Sequence, residues 1–180
     1  MKAEMTYRTE KDFLGEKKIP ADVYYGIQTL RAAENFPITG YKIHEEMIKA
    51  LAVVKKAAAL ANMETKRLYK GLGDAIVQAA DEILEGKLHD QFIVDPIQGG
   101  AGTSMNMNAN EVIGNRALEL LGHKKGEYIH LSPNTHVNMS QSTNDVFPTA
   151  IHISTLKQLE KLLDTMESVS YTHLTLPTTP

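Results

Sequence analysis

Gln98-Gly99-Gly100-Ala101-Gly102-Thr103-Ser104-Met105-Asn106-Met107-Asn108-Ala109-Asn110-Glu111 passes from a glycine-rich turn, through two hydroxyl side chains, into three asparagines set two residues apart. An apolar helical pattern follows, from Val112-Ile113 through Leu118, Leu120 and Leu121, and stops at Gly122. A donor-rich loop therefore feeds a helix start, where backbone N–H groups point outward and favour an anion. The stretch holds no Lys or Arg, so an anion there must be met by neutral donors or by charge from elsewhere in the chain. It is neither G-x-G-x-x-G nor a P-loop, because no lysine follows the glycines.

Totals bound the rest. The chain has 180 residues, a net charge of −3, 42% apolar residues and no cysteine. That is enough for a core, offers no basic field for nucleic acid, and excludes disulfides and thiolate metal ligation. The charged N-terminus lacks the apolar run of a signal peptide. The longest apolar run, Ala50 to Ala61, is broken by Lys55-Lys56 and is too short to span a bilayer. Neither a nucleic-acid nor a membrane partner is expected, and a cytoplasmic location fits.

The expected fold is mostly α. Residues 1–20 read as an irregular or hairpin-like arm. Pro20 opens a short helix with Val23, Tyr24, Ile27 and Leu30 on one face, which Asn35, Pro37 and Gly40 break. From Glu45 to about Asn62, Met47, Leu51, Val54, Ala58 and Ala61 mark a helix face. Gly71 to Gly73 separates it from a helix starting at Asp74, its N-cap, with Ile76, Ala79, Ala80, Ile83 and Leu84 buried and Gly86 closing it. Residues 88–97 read as an extended connection into the opening loop. The helix from about Ser104 to Leu121 follows, then a polar irregular segment over 123–141. The last helix carries Leu156, Leu159, Leu163 and Met166 at near-heptad spacing, suited to lengthwise packing in a bundle. Pro148 fits only a first turn, which sets the start near Asn144 to Phe147. From Val169 onward charge vanishes and helical periodicity fades. The division expected is 1–141 as an N-terminal domain, 142–168 as the start of a helix bundle, and 169–180 as a foreign or misread tail.

A second polar cluster, Ser142-Thr143-Asn144-Asp145, stands before that last helix. One such residue suffices as an N-cap, and four in a row exceed the need. Three asparagines within five residues must be solvated or sit in a satisfied polar network, since their amides compete with the helix backbone. Asn106 and Asn110 share one face, and Asn108 and Asn115 another. Together the clusters offer hydroxyls, amides and backbone N–H groups at two helix starts, an inventory suited to a small dicarboxylate or a phosphate. The histidines show no metal spacing. His130 and His136 lie in the irregular segment, His152 reads as a packing or partner contact, and His44, His89 and His123 as exposed or capping residues. Asp74, Asp81, Glu82 and Glu85 read as a solvated acidic face. No metal and no cofactor is expected.

Gly99 to Val112 and Gln141 to Asp145 resemble the first two signature regions of the aspartase/fumarase superfamily. The arm adds Arg8-Thr9-Glu10-Lys11-Asp12, Gly15-Glu16, Ile19 to Gly26 and Gln28 to Phe36, and the similarity runs from about Arg8 to about Glu167. Class II fumarases usually carry Gly-Ser-Gly-Thr-Gln and Ser-Ser-Asn-Asp. Here Gly100-Ala101-Gly102-Thr103-Ser104, Ser142-Thr143-Asn144-Asp145 and Gly122 to Tyr128 look like the ammonia-lyase branch. The resemblance implies reversible anti elimination of ammonia from L-aspartate to give fumarate, through an aci-carboxylate intermediate. It places Thr103, Ser142 and Thr143 on substrate carboxylates and Asn144 on the amino group. The base serine and acid histidine are expected beyond this chain, since Thr172-His173 comes too early to be the family's Thr-His pair. It further implies a homotetramer built on a long-helix bundle, and a chain that is inactive by itself. The rival readings are a class II fumarase, a non-catalytic helical interaction module and a phosphate- or nucleotide-binding domain.

Overall fold

The computed structural model describes residues 6–98 and 100–174. The arm is a hairpin, β1 (Tyr7–Asp12) against β2 (Gly15–Pro20), antiparallel with Tyr7 opposite Pro20 and Asp12 opposite Gly15. Four longer helices and one short one follow: α1 (Ile27–Asn35), α2 (Glu45–Glu64), α3 (Lys70–Leu84), α4 (Thr103–Leu120) and α5 (Thr143–Leu174). The expectation of a mostly α chain holds. A 3₁₀ turn at His89–Gln91 interrupts the extended connection to α4, and a π turn at Pro133–Val137 lies in the segment before α5.

Pro20 ends β2 instead of opening a helix, and α1 starts only at Ile27. The cause is a side chain from the other strand. The Arg8 guanidinium donates to the carbonyls of Pro20, Val23 and Tyr25 at 3.0, 2.7 and 2.6 Å. Carbonyls turned to that one group are not free to start a helix.

α2 packs along α3 and the beginning of α5, and α3 packs against α4. Being flanked twice, α2 buries a broader arc than the face read from sequence. Met47 and Leu51 are buried as expected, but Ala61 is exposed, and the seam instead follows Ile48, Ala52, Lys55, Ala59 and Asn62. α3 begins at Lys70, so Gly71 and Gly73 are helical, Tyr69 is the N-cap, and Asp74 accepts from Lys70 at 2.7 Å one turn on. Gly73 is no break because the helix needs it for approach: a Cβ there would stand 2.2 Å from Met63 Sδ. Ile76, Ala79, Ala80 and Ile83 are fully buried, as their spacing indicated. The acidic face is paired: Asp81 accepts from Lys56 at 2.6 Å, and Glu82 takes the Arg116 guanidinium at 2.6 and 2.8 Å.

α5 starts at Thr143, and Pro148 sits inside it, beyond the first turn. The helix runs on through the charge-free residues to Leu174, so the change in composition at Val169 does not end it. Residues 175–180 lie outside the described residues. Val146, Ala150 and Ser154 are buried against the body, whereas Leu156, Leu159, Leu162, Leu163 and Met166 stand exposed.

Candidate functional site

α4 carries the site's frame inside the protein. Asn106, Asn108, Asn110 and Asn115 are all buried, so their amides need internal partners. The two faces divide the work as their spacing predicts. Asn108 receives the Ile93 N–H and donates to the Gln91 carbonyl, both at 3.0 Å. Asn115 donates to the Tyr24 carbonyl at 2.8 Å and to the Tyr128 hydroxyl at 3.1 Å, and accepts from Gly126 N–H at 2.8 Å. That face fixes the loops. The other face, Asn106 and Asn110, points at Asn138 Oδ1 from 3.2 and 3.3 Å.

Asn106 also joins the two sequence clusters. Its Nδ2 donates to Thr143 Oγ1 at 2.9 Å. Next to this contact the helix starts touch. Gly102, at φ 78°, caps α4 and lies so close to Phe147 in the first turns of α5 that a Cβ would stand 2.3 Å from the ring. Only glycine meets both demands. No side chain caps α4 among the described residues, so the N–H groups of its first turn stay available to a ligand. At α5, Ser142 Oγ accepts from Asn144 N–H at 3.3 Å. Thr103, Ser142 and Asn144 are exposed and Thr143 is half-buried. Because Thr143 Oγ1 already accepts from Asn106, its own hydrogen is left to donate outward. The sequence-predicted residues thus sit at two helix starts that touch.

The charge missing from the opening loop lies behind this surface. Lys55 is fully buried, and its ammonium donates to Asn138 Oδ1 at 2.9 Å and Gln141 Oε1 at 2.8 Å. Lys55, Asn138, Asn106 and Thr143 therefore form one hydrogen-bonded chain. Burial pulls the Lys55 pKa down to about 7. Sequence reading took Lys55 as a break in an apolar run. Its signal was helical spacing: it is three residues after Ala52 and four before Ala59, on the buried seam.

Glu111 was also read only as part of a motif. Its carboxylate sits at the start of α1 and accepts from the N–H groups of Gly26, Gln28 and Thr29 at 2.9, 3.0 and 3.0 Å and from Thr29 Oγ1 at 2.5 Å. Burial pushes its pKa up, against the pull of these donors. Glu10 completes the cap by accepting from Ile27 N–H at 2.9 Å and from the Tyr128 hydroxyl. A cavity of about 340 Å³ opens beside Glu111, between the hairpin tip and the π turn. Its lining includes none of the four predicted residues. Folding brings His123, Glu127 and His130 together, with ligand atoms within 4.8 Å of one another.

A helical body presenting two joined, hydroxyl-bearing helix starts accords with what the comparisons find. Residues 15–173 match the lyase family, and the chain belongs to it. It is 85% identical over 169 residues to aspartate ammonia-lyase of Bacillus subtilis (strain 168), covering 94% of this chain and 36% of that protein. A crystal structure of fumarate lyase:delta crystallin from Brucella melitensis in native form shares the fold with a TM-score of 0.81 and 56% identity, over 83% of this chain and 34% of that one. The class II fumarase of Schistosoma mansoni aligns with a TM-score of 0.78 but 38% identity, over 83% and 32% of the two chains. The chain spans about a third of the length of the curated relatives it matches.

Proposed function

We propose that this chain supplies one wall of the substrate site of an aspartate ammonia-lyase, a carbon–nitrogen lyase. The observation that carries the reading is the meeting of the α4 and α5 starts through Asn106 and Thr143. Loss of a proton from the carbon beside the β-carboxylate of L-aspartate puts a second negative charge on that carboxylate. Fixed donors in place before reaction are the main means of stabilising it. Thr103, Ser142 and Thr143 bind substrate carboxylates, and Asn144 binds the amino group that leaves as ammonia. Lys55 adds positive potential from behind when protonated, and above about pH 7 it is a neutral member of the same hydrogen-bonded chain, in neither state touching substrate. Base and acid come from sequence outside this chain, no cofactor takes part, and the chain alone is inactive. Residues 1–141 form the N-terminal lyase domain and 142–168 begin the central bundle of a cytoplasmic homotetramer. The apolar row Leu156, Leu159, Leu163 and Met166, exposed on α5, supports that assembly. The 85% identity to an aspartate ammonia-lyase favours aspartate over malate as substrate.

The test is a chimera in which residues 1–168 replace the matching segment of the Bacillus subtilis relative. Fumarate should form from L-aspartate and not from malate. Thr143→Ala should lower kcat by about 10²–10³, the typical effect of removing one such donor, and Asn144→Ala, which removes the amino-group contact, should lower kcat/KM. A chimera that turns over malate would make the protein a fumarase. Unchanged kinetics in both variants would leave only an interaction module. Fumarate production by the unfused 180-residue chain would refute its inactivity.

A further inference from the structure

We infer that the turn after α4 is a binding site for a borderline divalent transition metal, formed by His123, Glu127 and His130. The ligand atoms of these three side chains all lie within 4.8 Å of one another. His123 Nδ1 is 3.8 Å from Glu127 Oε2, and the two imidazoles stack with centroids 3.9 Å apart and planes 8° from parallel. Two imidazoles and one carboxylate on a single short loop suit Zn²⁺ or Ni²⁺, with water filling the remaining positions. The set does not suit Mg²⁺ or Ca²⁺, which prefer all-oxygen shells.

The backbone holds the three residues in place. His123 N–H closes the end of α4 on the Leu118 carbonyl at 2.9 Å, and His130 N–H bonds the Glu127 carbonyl at 3.0 Å. Gly126, at φ 88°, makes the turn between them and is tied to Asn115. Glu127 Oε2 accepts from Lys124 N–H at 3.0 Å, which fixes the carboxylate with that oxygen toward His123 and lone pairs left over for the ion. The His123 and Glu127 side chains are 35% and 43% exposed, so an ion reaches them from solvent. In the stacked arrangement the lone pairs of the two rings do not meet at one point. Rotation of the exposed His130 ring brings them together, at the cost of the stack. Lys124 and Lys125 border the site and lower its affinity for any cation. Lys125 is partly engaged, since it donates to the Asp22 carbonyl and lies 4.0 Å over the Tyr24 ring. The site is at the other end of α4 from Thr103, so occupancy clamps the loop from Gly122 to Leu131 without entering the helix starts.

The test is calorimetric titration of the untagged 180-residue chain with ZnCl₂, with MgCl₂ as the contrast, followed by NMR of the histidine rings. One Zn²⁺ per chain should bind, the ring signals of His123 and His130 should shift, and those of His152 should not. His130→Ala and Glu127→Gln should each weaken Zn²⁺ binding by about tenfold or more, while His152→Ala leaves it unchanged. His130 and Glu127 are surface side chains, so both variants keep the fold, which circular dichroism checks. Absent binding, equal binding of Mg²⁺, or Zn²⁺ affinity unaffected by both variants would overturn the inference.

Discussion

The buried ammonium of Lys55 should make stability rise with pH in a window where most proteins are flat or losing stability. Its pKa falls from 10.5 in the unfolded chain to about 7 in the fold, because burial disfavours the charged form. Between those values the unfolded chain binds a proton that the native chain does not. Stability attributable to Lys55 therefore increases from pH 7 to about 10.5, and below pH 7 the native state carries the full cost of the buried charge. At about 1.4 kcal/mol per pKa unit, the shift sets a ceiling of about 5 kcal/mol across the window. The acceptors Asn138 Oδ1 and Gln141 Oε1 hold the charged form and reduce that figure. The assay is urea unfolding followed by circular dichroism from pH 6.5 to 9.5, for the parent and for Lys55→Met, which keeps the side-chain volume and has no titrating group. Taking the difference between the two removes the tyrosines Tyr24, Tyr25 and Tyr128, whose pKa values burial raises. From pH 7 to 9.5 the parent should gain about 2–3 kcal/mol on the variant. Parallel profiles would refute a deprotonating buried lysine and leave Lys55 as an ordinary ion.

Two stability predictions accompany it. Glu111→Gln keeps the shape but turns an amide NH₂ toward the N–H groups that start α1, so it should cost about 2 kcal/mol after the relief of burying a charge. In a chain of this size that is a fall in Tm of roughly 4–8 °C by calorimetry, and an unchanged Tm would show that α1 does not depend on the cap. Gly102→Ala and Gly100→Ala share a left-handed backbone, at φ 78° and 76°, but only the first places a Cβ against Phe147. Gly102→Ala should cost roughly 2–5 kcal/mol and Gly100→Ala about 1–2 kcal/mol in denaturant unfolding. Equal losses would mean that the α4 and α5 starts do not press together.

Local rules read well where one neighbour decided the outcome. The spacing of Ile76, Ala79, Ala80 and Ile83 gave their burial, and Gly122, at φ 82°, ends α4 where a glycine stop was expected. They failed where a distant side chain outweighed the local preference. Pro20 is a good first helical residue, yet Arg8 from the opposite strand holds the carbonyls after it. Gly71 and Gly73 look like a break, yet close approach to Met63 makes a glycine useful inside α3. His123, Glu127 and His130 are spaced four and three apart, as on one face of a helix, yet they lie in a polar segment beyond the end of α4, and the turns at Gly122 and Gly126 bring them together instead.

The sequence by itself determined the helical character, the two polar clusters and their positions at helix starts, because turn residues and apolar periodicity act over a few neighbours. It also demanded partners for the asparagines of α4, since buried amides left unpaired are costly. Tertiary structure decided who those partners are. It set Asn106 against Thr143, placed Lys55 beneath them, and gave Glu111 to the start of α1 across 85 residues of chain at Gly26. Contacts at that separation depend on how helices pack, and packing is fixed by the summed fit of many side chains rather than by any one stretch.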